Sequence, residues 1–81
     1  MPHRLRQLSG ADVLHILGRF GFEEVGRRGS HVKLRRVFAG GRETLTVPFH
    51  RDLDAGTVHA IFRQACRHVG EADLRPYFFS D

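Results

Sequence analysis

With 81 residues the chain has room for one small domain with a thin core and little stability to spare. Thirteen Lys and Arg against nine Asp and Glu give a formal charge of +4, before any of the six histidines protonates, so an anion is the expected partner. The single cysteine, Cys66, excludes an internal disulfide. No stretch approaches the run of about 18–20 apolar residues that a membrane span needs.

Ser9-Gly10-Ala11-Asp12 opens the first element. Ser9 can accept from orphan backbone donors, Asp12 can reach back, and Leu8 can staple onto Val13. Val13, Leu14, Leu17 and Phe20 then recur at three- and four-residue spacing, and Gly21 suits a left-handed stop, which predicts a helix over about Gly10 to Phe20. Beyond Gly21 the period falls to two. Phe22 and Val25 suggest a short first strand ending near Gly26 to Gly29. In the next strand Val32, Leu34 and Arg36 share one face, and His31, Lys33 and Arg35 the other. Gly40-Gly41 reads as a tight turn into a third strand, where Leu45 and Val47 alternate with Thr44 and Thr46 until Pro48 ends the pairing.

The loop FHRDLDAGT offers Asp54 or Gly56-Thr57 as the start of a second helix. Val58, Ile61, Phe62, Ala65, Cys66 and Val69 form its apolar stripe, and Gly70 is read as its stop. Cys66 is read as a small core side chain. The tail EADLRPYFFS suggests a short helical turn with Tyr77, Phe78 and Phe79 on a core edge, or three rings that meet a partner protein. The expectation is therefore an α+β fold in the order α-β-β-β-α, with both helices on one face of a three-stranded antiparallel sheet. One domain spans residues 1–81, with a core over about residues 9–70 and a short tail over 71–81. No signal-like segment is read at the N-terminus, so a soluble protein of the reducing cytoplasm is expected.

The open face of such a sheet carries the chemistry. The stretch RRGSHVKLRR surrounds His31 with Arg27, Arg28, Lys33, Arg35 and Arg36. Twelve of the thirteen cations are arginine, whose planar fork meets two phosphate oxygens at once, although a GC-rich or heat-adapted genome would also favour Arg over Lys. Histidine is the side chain whose ordinary pKa lies nearest neutrality. An imidazole placed beside a phosphodiester can take the proton of an RNA 2′-hydroxyl while the cations stabilise charge developing on phosphorus. His50, just past the third strand, is a second candidate, as a general acid, as a holder of the RNA backbone, or as a structural hydrogen-bonder to its own loop. Thr57 is a candidate phosphate contact at a helix N-terminus, or simply a cap. Ser30 is read as shaping the turn and not as a nucleophile. No paired-histidine spacing or thiolate framework suggests a metal, so none is expected, nor any cofactor. His3, His15, His59 and His68 are assigned no role.

Four elements taken in order carry a resemblance: Gly21-Phe22, Gly29-Ser30-His31, Val47-Pro48 with His50, and Gly56-Thr57 leading into a helix with Ile61. From about Asp12 to Val69 the chain closely resembles the HicA toxins, small mRNA interferases of toxin–antitoxin pairs. The resemblance implies a double-stranded-RNA-binding-like fold, His31 as general base, cleavage of mRNA without metal, and a HicB-type antitoxin that covers the active face. Leu34 stands where many members carry an aromatic, and the tail after Gly70 bears no motif. Two other readings share the fold order: a module that binds duplex RNA without cutting it, and a protein-interaction adaptor.

Overall fold

The computed structural model describes residues 3–81, so the first two residues of the expected domain lie outside the described ones. A two-residue strand, β1 (Arg4–Leu5), precedes the first helix, α1 (Gly10–Arg19). The helix begins where the capping residues place it. Ser9 Oγ accepts from the Asp12 N–H at 3.0 Å, and Asp12 Oδ2 accepts from the Ser9 N–H at 3.0 Å. It ends at Phe20, and the next residue, Gly21, takes φ +92°, a backbone conformation that side chains resist.

Three antiparallel strands follow in spatial order: β2 (Glu23–Arg28), β3 (His31–Phe38) and β4 (Gly41–Pro48). Register puts Val32 opposite Val47 and Leu34 opposite Leu45, and all four are buried. Onto that face pack α1, through Val13 and Leu17, and α2 (Ala55–Ala65), through Val58, Ile61 and Phe62. The other face, with His31, Lys33, Thr44 and Thr46, is exposed. The result is the expected α+β arrangement, an α-β-β-β-α order with both helices on one side of the sheet.

The short first strand forms over Glu23–Arg28, with Phe22 buried just before it and Val25 45% exposed within it. The β2–β3 register slips between Glu24 and Gly26, and Val25 is the extra residue at that bulge. Some expectations need correcting. The second helix stops at Ala65, with Cys66 as its cap, and not at Gly70. Gly70 has φ −54° and instead starts a third helix, α3 (Glu71–Phe78), so no left-handed stop is formed there. After α3 comes β5 (Phe79–Ser80), which pairs antiparallel with β1, Arg4 opposite Ser80 and Leu5 opposite Phe79. Leu74 and Phe78 of α3 are fully buried and Phe79 nearly so, which places these tail rings in the core. Burial of each is worth about 1.5–3 kcal/mol, enough to fold a segment of weak helical propensity onto the core.

Candidate functional site

The turn between β2 and β3 sets the position of His31. Gly29 takes φ +58°, the left-handed conformation that lets the chain reverse within Gly29-Ser30, and His31 is the first residue of β3. Opposite residues of an antiparallel ladder share a face. The open face therefore has three rows: Arg28, His31 and Pro48; Gly26, Lys33 and Thr46; Glu23, Arg35 and Thr44. Gly26 has no side chain to fill the space beside Lys33. A shallow depression of about 370 Å³ forms there, lined by Gly26, Arg27, Arg28, His31, Lys33 and Thr46.

The five cations flanking His31 in the sequence are not equivalent in space. Arg28, Lys33 and Arg35 lie on the histidine's face, and none of them has an ion-pair partner among the described residues. The Arg35 Nε is buried and makes no hydrogen bond. Arg36 turns to the helix side, where it donates to the His68 carbonyl at 3.0 Å and lies 3.8 Å from Glu43. Glu43, itself nearly buried, also meets the His68 ring. Arg27 falls opposite Val32 and thus off the histidine's face, although it reaches the rim of the depression. Two bonds hold it to Glu24, Nε to Oε2 at 3.3 Å and Nη2 to Oε1 at 3.2 Å, and its guanidinium carbon lies 4.6 Å from the centre of the Phe49 ring.

His50 is exposed, and its backbone is anchored to the start of α1, where the Gly10 N–H donates to the His50 carbonyl at 2.8 Å. The Phe49 N–H donates to the Ser30 carbonyl. The end of β4 is thereby tied both to the turn that presents His31 and to the first turn of α1. Thr57 sits apart in α2, and its N–H is already taken by Asp54 Oδ1 at 2.7 Å. That bond, with a second to the Thr57 hydroxyl, holds the Asp54 carboxyl below its ordinary pKa. The N-cap of α2 is therefore an acidic side chain with its charge retained. Cys66 is half-buried, and burial first, then the Glu71 charge, pushes its thiol upward. Among the described residues, no group of three or more His, Cys, Asp or Glu lies together where it could hold a metal ion.

Two contributors escaped sequence reasoning. Phe49 is an exposed ring immediately after Pro48, and its only sequence signal is an aromatic at a strand end. Gly10 reads as an ordinary first helical residue, although its lack of a side chain is what admits the backbone of residues 48–50.

The family model for the HicA toxin of bacterial toxin–antitoxin systems matches residues 10–66, which include every motif named above. No curated protein and no solved structure matches. The match runs from the first residue of α1 to the cap of α2 and takes in the whole three-stranded sheet, so this chain belongs to the HicA toxin family, the toxins of toxin–antitoxin systems, and an antitoxin is its implied partner.

Proposed function

We propose that the chain is an mRNA endoribonuclease that works in the cytoplasm without a metal ion, with His31 as its general base. The observation that carries this reading is the placement of an exposed imidazole at the edge of a cation-lined depression on an otherwise open sheet face. Arg28 and Lys33 would draw a phosphodiester to that depression, with Arg35 and its unpaired Nε further along the same face. His31 takes the proton of the 2′-hydroxyl, the 2′-oxygen attacks phosphorus, and the bond to the 5′-oxygen breaks. The leaving oxygen gains a proton, from His50 or from solvent. The products are a 2′,3′-cyclic phosphate and a free 5′-hydroxyl, so the equation closes without water or metal. Arg27 serves RNA binding at the rim, and the Asp54 carboxylate beside Thr57 makes that helix end the weakest of the phosphate contacts. A HicB-type antitoxin with acidic residues would bind by covering the basic face, which pairs opposite charge and blocks His31 in one step.

The test is incubation of the purified protein with a long single-stranded RNA in excess EDTA, beside the His31→Ala variant, with the fragment ends identified. Cyclic-phosphate ends from the wild type alone are expected. Undiminished cleavage by His31→Ala would remove the histidine from the mechanism. Intact RNA in a salt-sensitive complex would make the chain a binding module instead.

A further inference from the structure

Phe49 leaves β4 directly after Pro48 and is 41% exposed, outside both the core and the side chains packed against it. Its ring is nonetheless held in place. Its own N–H is bonded to the Ser30 carbonyl, the Arg27 guanidinium lies over it at 4.6 Å, and Glu24 grips that guanidinium through the two bonds described above. The carboxylate offsets the charge of Arg27 and occupies two of its donors, so a phosphate gains less there than at Arg28 or Lys33. What the trio presents is an exposed ring with a guanidinium over it at the end of the sheet, bonded through the Phe49 N–H to the turn that presents His31. Flat aromatic and guanidinium surfaces are what unpaired bases stack on.

We propose that the Arg27–Phe49 pair is a platform for one unpaired nucleobase of the RNA, next to the phosphodiester held at His31, with Glu24 as a positioning residue that keeps Arg27 over the ring. This inference rests on the reading of the open face as an RNA site. The platform binds through a π-face, so it accepts any base, and it directs a single-stranded substrate across the sheet end where a paired base has no free face to offer.

The experiment uses a single-stranded oligonucleotide made uncleavable by 2′-O-methyl groups, with one 2-aminopurine moved along it position by position. Stacking quenches that base, so wild-type protein is expected to quench it strongly at one position. Phe49→Ala should abolish the quench and weaken binding on the order of tenfold, with the salt dependence unchanged because no ionic contact is lost. Phe49→Tyr should restore both, and Glu24→Gln should reduce the quench. Because the ring is exposed and outside the core, thermal melting should confirm that Phe49→Ala is folded. An unchanged quench in Phe49→Ala, or none at any position in the wild type, overturns the platform, and in the first case leaves the ring to a protein partner. The probe cannot be cut, so this result is independent of catalysis. A quench without cleavage of ordinary RNA refutes the ribonuclease reading alone, and cleavage without a quench refutes the platform alone.

Discussion

Gly10→Ala is the substitution through which fold and site are most directly joined. Gly10 is the first residue of α1, and a methyl group built on it would lie 2.4 Å from the Pro48 carbonyl oxygen, 2.8 Å from the Phe49 Cα and 3.0 Å from the His50 nitrogen. All three are backbone atoms, so no side chain can swing aside. Ordinary contact between such atoms needs about 3.5 Å, so α1 and the end of β4 must part by about 1 Å. Overpacking of this kind costs about 1–3 kcal/mol. Alanine's better helix propensity returns at most about 1 kcal/mol, and less in a first turn. The net loss of about 1–2 kcal/mol should lower Tm by roughly 5–15 °C in a chain of this size, read by circular dichroism. Cleavage should fall further than stability does, because the displaced segment carries Phe49 and His50, and a shift of about 1 Å at a site can cost about 100-fold. A Gly10→Ala protein with wild-type Tm and wild-type cleavage would refute the reasoning.

Acid should weaken the fold through its two helix caps. The Asp12 carboxyl is held below its ordinary pKa by the Ser9 N–H first and the Ser9 hydroxyl second, and Asp54 by the N–H and hydroxyl of Thr57. Groups lowered in the folded state stabilise it above their ordinary value of 3.8, and that contribution is lost as pH falls through the folded values. The urea midpoint should therefore hold from neutrality down to about pH 5 and fall towards pH 3, less steeply in the double variant Asp12→Asn, Asp54→Asn, since Asn still caps. An equal fall in both proteins would exclude the caps. In the tail, Phe78→Ala removes a fully buried ring and should cost about 3–5 kcal/mol, a large share of the stability of a small domain, seen as a much lowered denaturation midpoint. An unchanged midpoint would show that the tail only drapes the core.

The parts of the fold legible in the sequence are those whose signals are local and agree. At α1 a capping box, an apolar stripe and a glycine stop fall within a few turns of chain. At β3 and β4 strict alternation separates the buried Val32, Leu34, Leu45 and Val47 from His31, Lys33, Thr44 and Thr46. The end of the chain was harder for two physical reasons. β1 and β5 are two residues each and pair across almost the whole sequence, so neither has a period to detect. In α3, Pro76 lacks a backbone donor and argues against a helix, and only the burial of Leu74 and Phe78, four residues apart, overrides it. Gly70 illustrates a further ambiguity, because a glycine between two apolar stripes reads equally as the end of one helix or the start of the next.

The candidate site was legible as a location but not as an arrangement. In the sequence Arg27, Arg28, Lys33, Arg35 and Arg36 are five cations crowded around one histidine. Alternation by itself would put Arg27 with its odd-numbered neighbours, on the face of His31. The bulge in β2 undoes that, because the slipped register sets Arg27 opposite Val32 and leaves Arg28 opposite His31. The same slip brings Gly26 opposite Lys33 and so opens the depression beside the imidazole. One extra residue in an edge strand thus decides which arginine faces the proposed phosphate, which one lies on Phe49, and where there is room for a substrate. None of these follows from charge or composition, and all of them follow from register.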